Sequence, residues 1–179
     1  VSEEPARGLA AQPQLLSWLA ELAISYERYD HAPVNTCEDA ERAVPNVDAV
    51  QTKNLFLRDK RGRRHILLVT SCERSVDLKA FREQCGADHL SFASPERLAK
   101  HLGVEPGSVT VLGLFVDAAR AVELYVDADV WQTPRWRCHP MVNSATFVLA
   151  REAIEVFLAS TGHRPIVLSL TPRSLSGNP

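Results

Sequence analysis

Two apolar-rich runs, residues 53–58 and 65–70, flank the polar segment Asp59-Lys60-Arg61-Gly62-Arg63-Arg64. That arrangement predicts a β-hairpin, because each run buries a face only when paired and the polar, glycine-containing segment supplies the turn. Two well-punctuated helices follow. Asp77 caps the first, which carries Leu78, Phe81 and Cys85 on one side and stops at Gly86. Ser94 caps the second, Pro95 occupies its first turn and Gly103 ends it. Upstream, Leu15, Leu16, Leu19 and Leu22 recur at helical spacing and predict an amphipathic helix over residues 13–24. Residues 26–30 read as a short strand, and residues 36–42 as one or two helical turns with Thr36 as N-cap. Downstream, residues 109–116, 121–126, 145–149 and 165–168 read as strands, and residues 150–160 as a helix ended by Gly162. Strands and helices intermix without a strict βαβ period. The expected fold is therefore mixed α/β, a largely antiparallel mixed sheet surrounded by helices.

The chain's 179 residues suit one domain. It is expected over residues 13–170, with polar, fraying ends at 1–12 and 171–179. A hydrophobic content of 45% and a charged content of 23% exclude disordered, collagenous and disulfide-scaffold chains. A net charge of -2 means that any nucleic-acid surface is a local patch. No apolar run approaches the ~20 residues of a membrane span. The opening Val1-Ser2-Glu3-Glu4 has no signal-peptide pattern. Cys37, Cys72, Cys85 and Cys138 are scattered without a Cys-x-x-Cys pair, so reduced thiols and a cytoplasmic protein are expected. Dinucleotide, P-loop, zincin and nucleophile-elbow signatures are absent. The histidines and cysteines do not fall at ligand spacing, so no metal site is expected.

Four stretches place polar groups in apolar strand or loop context. Lys53 and Asn54 open the first hairpin strand; the lysine either snorkels to solvent or aims a cation into a cleft. Pro106-Gly107-Ser108 and Gly113 are either a turn entering a strand or a loop whose amides approach a ligand. His139, Asn143, Ser144 and Thr146 crowd a polar segment before an apolar strand. Arg58, Lys60, Arg61, Arg63 and Arg64 form a charged turn, either a solvated tip or a positive patch for nucleic acid, which Arg135 and Arg137 would extend. Aromatic content of only 7% makes a base-stacking platform non-evident.

In these stretches the chain resembles the YbaK/ProX family of aminoacyl-tRNA deacylases. The resemblance rests on Asp30-His31-Ala32-Pro33-Val34 with Thr36 and Glu38, and on Thr52-Lys53-Asn54-Leu55-Phe56-Leu57-Arg58-Asp59. It continues through residues 90–98, Pro106-Gly107-Ser108-Val109 with Gly113-Leu114, His139-Pro140-Met141-Val142-Asn143, and Thr161-Gly162-His163 with Pro165. It spans residues 13–170. One position departs: Val111 stands four residues after Gly107, where the family has proline.

The resemblance implies hydrolysis of the ester between a wrong amino acid, chiefly alanine, and the 3′ adenosine of proline tRNA, with no cofactor. It implies tRNA as partner and leaves prolyl-tRNA synthetase open as a second. Carried over residue by residue, Lys53, Asn54 and His139 are the expected catalytic residues. Gly107, Ser108, Gly113, Asn143 and His31 are expected to bind substrate; Arg61, Arg63, Arg64 and Arg137 are expected to meet the tRNA. A deacylase for cysteine or serine, or a non-catalytic tRNA-binding module, remain the alternatives. A nucleophile at Cys138 suffers from adjacency to His139, since neighbours on an extended chain face opposite ways.

Overall fold

The structure, a computed structural model, describes residues 7–171. Its first helix, α1 (Arg7–Glu21), starts before the leucine spacing predicts, so residues 7–12, expected to fray, are helical. The reason is tertiary. Gly8 lies so close to the Met141 carbonyl that a Cβ there would fall 2.0 Å from its oxygen, and Gln12 Nε2 donates to the Pro140 carbonyl at 3.0 Å. Expected fraying at residues 1–6 and 172–179 lies outside the described residues. Strand β1 (Glu27–Asp30) leads to helix α2 (Cys37–Ala43), where Thr36 Oγ1 accepts from Asp39 N at 3.0 Å as the N-cap pattern predicts.

The hairpin forms as expected. Strands β2 (Val50–Arg58) and β3 (His65–Ser71) pair antiparallel from Arg58↔His65 to Thr52↔Ser71, and Asp59 Oδ1 accepts the Arg63 and Arg64 amides inside the turn. Helix α3 (Leu78–Gln84), strand β4 (Ser91–Phe92) and helix α4 (Pro95–Leu102) follow. The remaining elements are β5 (Val122–Asp127), α5 (Ala128–Gln132), β6 (Arg135–Cys138), β7 (Ala145–Ala150), α6 (Arg151–Thr161) and β8 (Ile166–Leu168).

One expected strand is not a strand. Val111–Val116 form a 3-10 helix, capped by Thr110 Oγ1, which accepts from Leu112 N at 3.3 Å. A short apolar run cannot by period alone be told from a buried helical turn. Here packing decides it: Val111, Leu112 and Leu114 are fully buried, and a Cβ on Gly113 would fall 2.9 Å from the Leu102 carbonyl oxygen.

The eight-stranded sheet runs β1-β7-β6-β2-β3-β5-β8, with β4 also pairing β2. Four pairings are antiparallel and three (β2·β6, β3·β5, β5·β8) are parallel. Alternation along β3 sends Leu67 and Val69 into the main core, with Trp136, Phe147 and Phe157, and Ile66 and Leu68 into a smaller one with Phe81 and Tyr125. β2 has different neighbours on its far edge at its two ends. Val50 and Gln51 pair with β6, and Leu57 and Arg58 with β4. Residues 53–55 between them face a gap in the sheet.

The cysteine expectation is corrected. Cys37, opening α2, and Cys72, just past β3, form a disulfide; Cys85 and Cys138 are free and buried. The cysteines lie 35 residues apart, and no spacing rule marks them. They meet because α2 folds back over β2 while Cys72 N donates to the Gln51 carbonyl at 2.9 Å. Among the described residues no helix is long and apolar enough to cross a membrane.

Candidate active site

The gap beside β2 opens into a cavity of about 230 Å³. Lys53 and Asn54 form its floor, His139 and Gly107 line it from two loops, and Thr36 and the two disulfide cysteines close another side. Four residues named from sequence, Lys53, Asn54, Gly107 and His139, thus meet in one place.

Lys53 Nζ donates to the Arg74 carbonyl at 2.6 Å, and no carboxylate among the described residues pairs with it. Burial without a counter-charge pushes its pKa below the ordinary lysine value. The carbonyl partner is itself fixed. The Arg74 guanidinium binds the buried Asp127 at 2.8 Å, pairs with Asp129 and donates to the Leu170 carbonyl at 3.1 Å. Two buried amide oxygens beside Lys53, Gln51 Oε1 and Asn54 Oδ1, have no partner among the described residues. His139 Nδ1 lies 3.2 Å from the Ala145 carbonyl, which can only accept, so Nδ1 carries the proton and Nε2 keeps its lone pair. Burial lowers the His139 pKa, opposed by that carbonyl, and the imidazole is held neutral.

Other expected substrate residues stand behind the cavity. Asn143 Nδ2 donates to the Val34 carbonyl at 2.9 Å, and Val34 N donates back to Asn143 O at 3.0 Å, clamping the loop that leads to Thr36. His31 Nδ1 donates to the Ala32 carbonyl at 2.8 Å, so its Nε2 accepts from Thr146 Oγ1 at 2.9 Å. Ser108 is buried at the loop's base, its amide donating to Glu105 O at 3.1 Å. Gly113 packs against α4, away from the cavity. Gly107 (φ 90°) needs glycine's freedom, and a Cβ there would point at Asn143 and Asn35. Gln51 and Cys72 line the cavity and were missed, since an amide inside a strand and an isolated thiol carry no local signal.

The basic residues divide. Arg61 and Arg63 are exposed on the turn. Arg64 is committed to Glu123 at 2.7 Å and to the Cys85 and Gly86 carbonyls. Arg137 is corrected from a tRNA contact to an internal tie: it is 3% exposed and bound to Glu41 and to the Val44 and Val47 carbonyls. The turn lies four or more residues along β2 from Asn54, roughly 13 Å or more at strand rise. Among the described residues no three His, Cys, Asp or Glu side chains gather as a metal-holding group.

The family described as "Aminoacyl-tRNA editing domain" matches residues 31–157, which contain every residue of this cavity. This chain belongs to that family. The chain is 38% identical over 154 residues to the prolyl-tRNA editing protein ProX of Acetoanaerobium sticklandii, covering 86% of this chain and 93% of that one. It is 35% identical over 158 residues to a prolyl-tRNA synthetase associated domain-containing protein 1 of Danio rerio, covering 87% and 85%. A solved structure described as a candidate trans-editing enzyme for prolyl tRNA synthetase superposes with TM-score 0.67 at 19% identity, covering 94% and 98%, which speaks to the fold. The editing-domain family is that of the aminoacyl-tRNA deacylases, as the sequence resemblance implied, and the mixed sheet matches the expected fold class.

Proposed function

We propose that this protein removes mis-attached alanine from proline tRNA by hydrolysing the ester at the 3′ adenosine, in the cytoplasm where prolyl-tRNA synthetase charges that tRNA. The observation that carries the reading is the stretch of β2 whose far edge is left open, where an ammonium without a carboxylate partner shares one cavity with Asn54, Gly107 and His139. An aminoacyl-adenosine end offers phosphate oxygens to Lys53 and polar groups to the amide-bearing wall that Gln51 and Asn54 line.

The aminoacyl ester is an activated acyl group, so a strong protein nucleophile is unnecessary. Water adds to the carbonyl carbon, the bond to the 3′ oxygen breaks, and amino acid and tRNA leave. Lys53 anchors the phosphate, Gly107 brings its backbone close, and neutral His139 lines the aminoacyl side. The vicinal ribose hydroxyl assists the water. Selection of alanine over the larger proline is ascribed to the walls on the aminoacyl side of this cavity. Forcing extra methylenes into packed walls costs about 1–3 kcal/mol.

The test is deacylation of proline tRNA charged with alanine, serine, cysteine or proline by the purified protein. Fast loss of alanine, slower loss of serine and little loss of proline are expected. Prolyl-tRNA hydrolysed as fast as alanyl-tRNA overturns the size argument and the alanine assignment together.

A further inference from the structure

The Cys37–Cys72 disulfide stands between two cavities. One side borders the candidate active site; the other borders a second cavity of about 500 Å³ that Glu38, Glu41, Glu73 and Arg137 help to line. Cys37, Gln51 and Cys72 line both. The sulfur bridge and the Gln51 side chain are therefore the partition between them.

Helix α2 has little else to hold its first turn down. Only Ala40 is buried on it. The hydrogen bonds between Val34 and Asn143 fix the chain before the helix, and Arg137 holds Glu41 and the carbonyls that follow it. Between these two anchors, the tie from the first turn to β3 is the disulfide. An element with few buried apolar contacts opens at low free energy once such a tie is cut. Both cysteines are partly exposed and border open cavities, so a small thiol reaches them. In the compartment where tRNA is charged, disulfides are mostly made and broken rather than permanent.

We propose that Cys37–Cys72 is a thiol–disulfide exchange site that sets the size of the aminoacyl pocket. Oxidised, the bridge closes the partition; reduced, it lets the first turn of α2 leave β3 and joins the two cavities. The exchange needs a low-molecular-weight thiol. One thiolate attacks a bridge sulfur, the bond between the cysteines breaks, and the departing cysteine takes a proton from solvent. A second thiolate attacks the small-thiol sulfur of the resulting mixed disulfide, the oxidised small disulfide leaves, and the second cysteine departs as a thiolate that takes a proton from solvent. Two small thiols are thereby oxidised as Cys37 and Cys72 are reduced. The effect on aminoacyl size rests on the deacylase reading above, whereas the opening of the partition does not.

The experiment compares wild-type protein oxidised with glutathione disulfide, the same protein reduced with dithiothreitol, and the Cys37→Ser and Cys72→Ser variants. Amide hydrogen exchange over residues 36–43 and initial rates on alanyl- and prolyl-tRNA are read for each. Reduction and either substitution should speed exchange in α2 by about tenfold or more while α6 is unchanged. They should also lower the alanyl-to-prolyl rate ratio by at least about fivefold, within the reach of a single pocket contact. Reoxidation should restore both in wild type and neither in the variants. Unchanged exchange in the reduced protein overturns the proposal, as does failure of glutathione disulfide to form the Cys37–Cys72 bond, or an unchanged ratio in an active enzyme. If no form hydrolyses any aminoacyl-tRNA, the deacylase reading fails, and hydrogen exchange alone decides whether the partition opens.

Discussion

Replacing Arg137 by alanine should cost stability and leave tRNA affinity alone. The side chain is 3% exposed. Its Nη1 donates to Glu41 Oε2 at 2.6 Å and to Val44 O at 3.1 Å, and its Nη2 donates to Val47 O at 2.5 Å. Truncation strips charged donors from two carbonyls in the loop between α2 and β2, and each such bond contributes about 1.5–3 kcal/mol. The ion pair adds little, since Glu41 is 56% exposed and exposed pairs are worth about 0–1 kcal/mol. Relief of the guanidinium's own burial offsets part of the loss, the more so as Nε is buried without a partner. The net cost is about 3 kcal/mol. For a domain of this length each kcal/mol moves Tm by about 2–4 °C, so calorimetry should show a fall of about 6–12 °C. Arg137→Lys should recover only part, because a single ammonium does not reproduce the planar fork. Binding of uncharged proline tRNA across a salt series should keep the wild-type slope in Arg137→Ala. Neutralising the exposed Arg61 and Arg63 together should flatten that slope by about one to two units. An Arg137→Ala protein that melts within about 2 °C of wild type and binds tRNA with a flatter salt slope would refute the assignment.

Lys53→Met should leave stability within about 2 kcal/mol, since the charge-assisted bond lost to Arg74 O, about 1.5–3 kcal/mol, is offset in part by relief of the ammonium's burial and no ion pair breaks. It should lower kcat/KM for alanyl-tRNA about 10–150-fold, the equivalent of about 1.5–3 kcal/mol of charge-assisted binding; a folded variant within about twofold of wild type contradicts the anchoring role. Val111→Pro should be tolerated, with Tm near wild type or slightly higher: Val111 opens the 3-10 helix, and Thr110 (φ -148°, ψ 149°) already has the conformation a following proline demands. Strong destabilisation on thermal melting would count against that account. Acidification should destabilise the protein from about pH 6.5 downwards. Burial and the neighbouring His101 and Arg97 charges push His65 down to about 4, so the unfolded chain binds protons first and the stability present above pH 6.5 is lost as pH falls towards 4. His101 and His139 shift the same way, so His65→Gln should reduce the fall in Tm between pH 7 and 4 rather than abolish it, and a flat wild-type profile would rule the linkage out.

The part of the site legible in sequence is the part carried by family-like motifs: Lys53, Asn54, Gly107 and His139 come together in one cavity. His31, Ser108 and Asn143 belong to the same motifs yet stand behind the cavity, and Gly113 packs against α4 away from it, because a motif carries a packing role as readily as a contact with substrate. Gln51 acquires its importance only from the end of the β2·β6 pairing at its own position.

Elements set by interactions within a few residues were determined by sequence alone. The β2–β3 hairpin follows from two strand-forming runs around a turn, α3 from the cap at Asp77, whose Oδ1 accepts the Lys79 and Ala80 amides, and the end of α4 from left-handed Gly103. Tertiary structure decided the rest. It turned an apolar run into a 3-10 helix, drew α1 out to Arg7 and set β2 between β3 and the split pair of β6 and β4. It also joined Cys37 to Cys72, tied Arg64 to Glu123 and buried Arg137. The physical reason is range. Caps, turns and periodicity act between residues close in sequence, whereas burial, sheet order and the partners of a long charged side chain depend on distant segments that meet only once the core has closed.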